Sequence, residues 1–285
     1  MIERLYVEIG NICNLSCSFC PKTKRKPRQM TADEFEEILV KSKGLVRYIY
    51  LHVMGEPLLH PELDKMLSLA EKYSMPVCIT TNGTLLKSRG EILLSHADIV
   101  HKVSVSLHAP EGNSMYDLDD YLSSAVSFAR AASEAGIFTV LRLWNEDGAD
   151  ADGRNLSNPE IEKFLYSSFE GPYTKRPRGL RLAKYIFLEY GDTFVWPIES
   201  EAEERESLYC HALSDQVAIL ADGTAVPCCL DSEGVMALGN IFESSLADIL
   251  CGERAVKIKK GFDGGCAEEP LCKKCSYARR FAVRG

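Results

Sequence analysis

The stretch "GNICNLSCSFCPK" occupies residues 10–22 and holds Cys13, Cys17 and Cys20 in the spacing C-x3-C-x2-C. It directly follows a strand-like run, "RLYVEIG" (4–10). A structural zinc ion asks for four ligands, usually presented as two pairs. Three thiolates on one short loop leave such an ion one ligand short. A 4Fe-4S cluster has four irons, and three thiolates hold three of them. The fourth iron is then open to a further ligand. The loop therefore reads as the seat of a reactive cluster, placed at the end of the first strand of whatever sheet follows.

The rest of the chain is consistent with a site built for metal chemistry. Eleven cysteines occur in 285 residues: three in this loop, seven between Cys210 and Cys275, and Cys78 alone, which reads as a small core residue. The N-terminus "MIERLYVEIG" lacks the apolar core of a signal peptide, and no apolar run has membrane-spanning length. A cytoplasmic protein is expected, with its cysteines serving metal or redox chemistry rather than disulfides. A net charge of −8 argues against a general nucleic-acid surface. The one basic run, "KTKRKPR" (22–28), reads either as a solvated loop or as a contact for an acidic substrate or partner.

Working outward, strand candidates at 4–10, 48–53, 76–83, 102–108, 138–145 and 180–190 alternate with helix candidates near 32–42, 61–73, 85–95, 118–135 and 159–169. This alternation implies an α/β fold with parallel strands joined by helical crossovers. Strand parity is more telling. Val103, Val105 and Leu107 share one face, with Ser104, Ser106 and His108 on the other. Ile49, Leu51 and Val53 oppose Tyr48, Tyr50 and His52; Val77 and Ile79 oppose Cys78, Thr80 and Asn82; Glu8 lies opposite Leu5, Val7 and Ile9. A flat sheet covered by helices on both faces would bury that polar side at a cost. A curled sheet around a wet interior accommodates it, so a barrel-like sheet is expected. The acidic, turn-rich segment 189–207 divides the chain into a core, 1–195, and a smaller unit, 196–285. In the latter, 216–230 reads as a hairpin turning at Asp222-Gly223 and 244–262 as one helix with a Ser cap, while 146–159 reads as a polar loop.

A second motif follows the second strand: "MGEPLLHP" (54–61). Together with C-x3-C-x2-C it resembles the radical S-adenosylmethionine (SAM) superfamily, whose GEP-type loop has Met54 here in place of its first glycine. The resemblance covers nearly the whole chain and implies a partial (β/α)6 TIM-like barrel. It implies that Cys13, Cys17 and Cys20 hold a 4Fe-4S cluster whose open iron chelates SAM, and that one-electron reduction releases a 5′-deoxyadenosyl radical. Phe19 would lie against the adenine. Gly55, Glu56 and Pro57 would receive the amino group. Asn82, Ser104, Ser106 and Arg142 are further cofactor candidates. Ser104 and Ser106 also read as small barrel-lining residues, Arg142 as a structural cation, and His52 and His108 as core or rim histidines. The catalytic base is not legible; Arg142, His52 and Glu8 are the weak candidates.

The later cysteines resemble the auxiliary-cluster extension of the same enzymes, of SPASM/Twitch type in its short Twitch form. The resemblance implies a second 4Fe-4S cluster on Cys210, Cys228, Cys272 and Cys275, with Cys266 the rival ligand. A four-cysteine zinc site is the other reading of the spacing. Cys229 is expected to point away from Cys228, and Cys251 to end a helix. A second cluster suggests that a substrate radical loses a further electron, giving a two-electron, dehydrogenase-like oxidation. The expected substrate is a small hydroxylated, sugar- or aminocyclitol-like molecule, since the first strand begins at residue 4 with no leader-binding domain ahead of it. The alternatives are a peptide maturase, an RNA-modifying enzyme or a non-catalytic iron–sulfur protein. The resemblance also implies a flavodoxin- or ferredoxin-type electron donor.

Overall fold

The computed structural model describes residues 1–109, 115–144, 158–191, 194–278 and 281. Five strands, β1 (Ile2–Val7), β2 (Val46–Leu51), β3 (Val77–Thr81), β4 (Val100–Ser106) and β5 (Phe138–Trp144), alternate with α1 (Ala32–Ser42), α2 (Leu63–Tyr73), α3 (Leu86–Ser95) and α4 (Leu118–Glu134), and α5 (Asn158–Ser168) follows β5. Local chemistry explains the boundaries. Thr31 caps α1, and Glu34 closes a capping box with it. Phe35, Ile38 and Leu39 then fall on one face of α1 and are fully buried against the sheet. Asp117 caps α4, whose inner face of small, aliphatic and aromatic residues (Tyr121, Leu122, Ala125, Phe128, Ala129) is likewise buried.

The chain continues through β6 (Thr174–Arg176), β7 (Gly179–Ala183), β8 (Ile186–Gly191), β9 (Gln216–Ile219), β10 (Thr224–Val226), β11 (Gly239–Asn240), α6 (Leu246–Cys251), α7 (Glu253–Asp263) and α8 (Pro270–Lys273). Among the described residues the strands form a single eleven-stranded sheet, β11-β10-β9-β1-β2-β3-β4-β5-β8-β7-β6. Its centre, from β9 to β8, is parallel, and an antiparallel extension flanks each side. The architecture is an α/β partial TIM-like barrel with helices outside and the polar strand face inside.

Three elements differ from the sequence reading. The run 180–190 is a hairpin: Lys184 and Tyr185 turn the chain, with Tyr185 in the left-handed region at φ 59°. Leu180 pairs antiparallel with Leu188, so β8 is the strand that joins β5. The helix expected over 244–262 is two, because Gly252, extended at ψ 151°, ends α6 and starts α7. Most of the loop expected at 146–159, and the last residue of the strand expected to end at 145, lie outside the described residues. The hairpin expected over 216–230 is β9–β10, and it carries on the main sheet: Leu5 pairs with Val217 and Val7 with Ile219. The sheet thus runs across residue 196.

Glu8 has the parity of the cavity-lining residues but is fully buried beneath the loops. Its carboxylate pairs with Arg25 at 2.6 Å and accepts from the backbone N–H groups of Met54 at 3.2 Å and Ala221 at 2.9 Å. All its capacity faces structure, which removes it as a base. Arg25, at the centre of the basic run, and Arg28, at its end, donate through Nε to the carbonyls of Ser232 and Ala221. Arg25 is thus tied into the fold, while Lys22, Lys24, Lys26 and Arg28 stay exposed on the loop. Breaking a buried pair leaves an uncompensated charge, so Glu8→Ala is expected to lower the unfolding free energy by about 3–5 kcal/mol. Denaturant titration checks this; a loss below about 1 kcal/mol, the range of an exposed pair, contradicts it.

Candidate functional site

The inward strand residues and the elements above them enclose a cavity of about 530 Å³. Its walls follow the strand parity: Arg4 and Tyr6 from β1, Tyr50 and His52 at β2, Thr80 from β3, Lys102, Ser104 and Ser106 from β4, and Arg142 and Trp144 from β5. Phe19, from the three-cysteine loop, and Trp196 close part of it. Phe19 stands edge-on to His108 with ring centroids 6.2 Å apart, and its carbonyl accepts from Trp196 Nε1 at 3.2 Å. The N–H of Trp144 donates to His108 Nε2 at 2.7 Å, which gives His108 a holding role at the rim.

The two loop motifs are packed on each other. Gly55 has φ +80°, and a Cβ there would stand 2.2 Å from the carbonyl oxygen of Gly10. Only glycine fits such an approach. The Glu56 N–H donates to Ile12 O at 3.0 Å. The Glu56 carboxylate accepts from Leu58 N at 3.0 Å, Thr81 Oγ1 at 2.7 Å and Asn82 N at 2.7 Å. That uses most of its accepting capacity, so Glu56 braces the loop against β3. Pro57 is buried at the start of a single 3-10 turn. Asn82 Nδ2 reaches Asn14 Oδ1 at 3.0 Å and Cys13 Sγ at 3.8 Å, tying the third strand's end to the cysteine loop. In that loop the N–H of Cys20 donates to Cys17 O at 3.2 Å, and Cys13 is exposed. The loop thus presents three thiols at the carboxyl ends of the strands, beside the cavity that Phe19 lines.

Electrostatics separates the polar candidates. Burial, with Arg142 and Lys102 nearby, pulls the His52 pKa down to about 3. His52 is a neutral imidazole at pH 7, and its Nδ1 is buried without a hydrogen-bond partner among the described residues. Burial lowers the Arg142 pKa from its usual value, opposed by the attraction of Glu189. Arg142 also lies over the Trp144 ring at 4.6 Å. It remains a cation, which suits a carboxylate partner and rules out a proton-accepting role.

A second, smaller cavity of about 30 Å³ lies beside the first. Cys210, Cys228, Cys272 and Cys275 all line it; Cys229, Cys251 and Cys266 do not. Cys266 instead forms a β-bridge with Ser207. Burial raises the thiols of Cys210, to about 11, and of Cys228 and Cys272 well above the usual value. Metal binding here must therefore release protons. Among the described residues no three or more His, Cys, Asp or Glu side chains converge closely enough for one metal ion. Four thiols spread around an apolar chamber match a cluster, where each iron takes one thiolate, better than one zinc with sulfurs about 2.3 Å from a point. Cys229 lines the larger cavity instead, with its thiol raised to about 11 by burial. Gln216, Leu230 and Tyr277 line both cavities.

The larger cavity also contains residues not singled out from the sequence: Arg4, Tyr6, Lys102 and Glu189. Parity was the available signal for Arg4, Tyr6 and Lys102, which share the inward face with Glu8 and Ser104. Glu189 gave no such signal, because its strand was not separated from the hairpin.

Two protein-family models match this chain: the radical SAM superfamily over residues 7–144 and the SPASM iron–sulfur cluster-binding domain over residues 210–276. A tungsten-containing aldehyde ferredoxin oxidoreductase cofactor-modifying protein of Pyrococcus furiosus is 36% identical, with 99% of this chain and 97% of that protein aligned.

The chain belongs to the radical SAM superfamily.

This radical SAM enzyme carries a C-terminal SPASM domain, and its cofactors are SAM and two 4Fe-4S clusters. It is also 23% identical to an S-adenosyl-L-methionine-dependent 2-deoxy-scyllo-inosamine dehydrogenase of Niallia circulans, with 97% of this chain and 93% of that protein aligned. Among solved structures, Streptococcus suis SuiB bound to S-adenosylmethionine superposes with a TM-score of 0.62 at 18% identity, covering 98% of this chain and 77% of SuiB. Among the described residues no helix is long and apolar enough to cross a membrane.

Gly55→Ala combines an unfavourable φ with a backbone clash, and so is expected to displace the three-cysteine loop while leaving the distant SPASM cysteines in place. Iron analysis after anaerobic reconstitution is expected to fall to about half of the wild-type content, since each cluster holds four irons. Full iron content contradicts the packing argument.

Proposed function

We propose that this enzyme oxidises a small, polar substrate by two electrons inside the 530 Å³ cavity. The observation that carries this is the shared wall: Gln216, Leu230 and Tyr277 bound both the cavity and the four-cysteine chamber. Adjacent Cys228 and Cys229 contribute to one chamber each. When bound, the open cluster with SAM supplies hydrogen-atom removal, and the auxiliary cluster supplies a place for a second electron. Cys13, Cys17 and Cys20 would hold the first cluster; Cys210, Cys228, Cys272 and Cys275 would hold the second.

The chain's own residues divide the remaining work. Phe19 would lie against the adenine. Ser104 and Ser106 offer hydroxyls, and Arg142 pairs with a carboxylate of the cofactor. The backbone of Gly55, Glu56 and Pro57, with Asn82, shapes the loop that receives the amino group. His52, neutral and with an unpartnered Nδ1, hydrogen-bonds the substrate without charging. Among the described residues Glu189 is the one carboxylate lining the cavity, and we assign it the proton released on oxidation. A cavity of this size suits a small molecule, which favours a small polar substrate over a peptide. Residues 1–195 act as the radical-generating core and 196–285 as the electron-accepting unit. Reduction of the first cluster falls to an external flavodoxin- or ferredoxin-type donor, which fits a cytoplasmic setting.

Anaerobic reconstitution with reductant and SAM tests the reading. The wild type is expected to carry about eight irons per chain, four per cluster, and to release 5′-deoxyadenosine. The double variant Cys272→Ala/Cys275→Ala is expected to hold about half the iron, still release 5′-deoxyadenosine, and lose net substrate oxidation. Oxidation that survives the loss of the second cluster contradicts the proposal, and a processed peptide as the product replaces it with a maturase.

A further inference from the structure

The cavity is strongly cationic in a protein whose net charge is −8. Arg4, Lys102, Arg142 and Arg178 line it, against the carboxylate of Glu189. These charges lie at two depths. Ser106 and Arg142 are register partners near the carboxyl ends of the strands, level with the loops that carry the cofactor motifs. Lys102 lies four residues earlier on β4, about 13 Å deeper at 3.3 Å per residue. The register Tyr6–Tyr50–Cys78–Lys102 places Lys102 on the same level as Tyr6 and Tyr50. Arg4 is one inward step below Tyr6 on β1. The floor of the cavity is therefore a layer of two cations and two tyrosines, well below the Arg142 level.

These floor cations have only incomplete partners within the protein. Lys102 Nζ sits over the Tyr50 ring, 5.3 Å from its centroid, which is a stabilising but incomplete partner. Arg4 Nε is buried with no hydrogen-bond partner among the described residues. Asp215, whose charge Arg4 feels, is held by His211 at 2.7 Å. Neither Arg4 nor Lys102 forms an ion pair with a described residue. A neighbouring cavity of about 450 Å³ shares Lys102, Arg178 and Glu189 with the first. It adds Arg176 to the same basic wall. Two cations grouped on one floor, neither of them in a direct ion pair, form a site that an anion can complete.

We propose that the floor formed by Arg4 and Lys102 is an oxyanion subsite, so that the substrate is an anionic small molecule bearing a phosphate or carboxylate group. The oxyanion docks on the floor and holds the reacting carbon up toward the Phe19 and Ser106 level. A cationic amino sugar is disfavoured by the same charges. This rests on the reading of the cavity as the substrate site, and it narrows the substrate class from polar to anionic.

The test is calorimetric. The full chain, anaerobically reconstituted with both clusters and saturated with SAM, is titrated with ribose 5-phosphate, inorganic pyrophosphate, gluconate, ribose and glucosamine. The oxyanions are expected to bind about tenfold or more tightly than ribose and glucosamine, the scale of a buried charge contact. Lys102→Met, which keeps the stem over Tyr50, and Arg4→Gln are each expected to weaken oxyanion binding by about tenfold while leaving SAM affinity unchanged. Tighter binding of the phosphates assigns phosphate, and tighter binding of gluconate assigns carboxylate. No binding of any oxyanion, equal binding of ribose, or no effect of Lys102→Met overturns the proposal. So does oxyanion binding that SAM abolishes, since the cations would then serve the cofactor. Should Arg4→Gln fail to fold, Lys102→Met decides alone. Binding is read without turnover, so absence of oxidation counts against the two-electron reading and leaves this subsite intact.

Discussion

The buried carboxylate of Glu8 joins four parts of the chain that the function needs held together. It follows β1, pairs with Arg25 from the segment after the cysteine loop, and accepts from the N–H groups of Met54 and Ala221. Through Met54 it fixes the start of the Gly55-Glu56-Pro57 loop. Through Ala221 it fixes the β9–β10 turn of the SPASM hairpin, 213 residues away in sequence. A fully buried charge with three partners has one acceptable arrangement, since removing any partner leaves an unpaired charge in a low-dielectric setting. The barrel core and the SPASM unit are thereby oriented by one side chain. Arg28, Lys24 and Arg25 reinforce the same seam with contacts to Ala221, Glu233 and Ser232.

That orientation gives the two chambers their common wall. β9 pairs with β1, and the dipeptide Cys228-Cys229 follows β10 after a single residue, Pro227. The same short segment thus lines the four-cysteine chamber on one side and the polar cavity on the other. Aromatic residues seal the upper part: Phe19 and Trp196 are linked by a hydrogen bond, and Phe194 packs against Trp196 and Tyr277. Reactive chemistry in a radical SAM enzyme needs water kept out, and these rings supply the apolar cover while the strands supply the polar floor.

Much of this architecture is legible in the amino-acid sequence. The helices of the barrel lie within a residue or two of their expected positions, because capping residues and apolar periodicity act over a few residues. The polar interior follows from strand parity, since alternate side chains of a strand must face opposite ways. The features that sequence patterns miss require contacts between distant segments. Glu8 has the parity of a cavity residue, and only the covering loops turn it into a brace. The 180–190 run reads as one strand because its apolar pattern continues through Tyr185, whose left-handed backbone has no signature in periodicity. The basic run 22–28 reads as a surface feature until its arginines meet carbonyls of the SPASM unit.

The sequence by itself determined the chemistry available: an open set of three thiols, a glycine that permits close packing of two loops, and an alternation that makes a parallel sheet with one polar face. These are short-range properties, written in spacing and period. Tertiary structure alone brought the expected four of the seven later cysteines into one chamber with Cys266 outside it, extended the sheet with β9 beside β1, and set Arg4 and Lys102 on one floor. Those outcomes depend on strand pairing and loop closure across the length of the chain, where the energy lies in partners that no local pattern names.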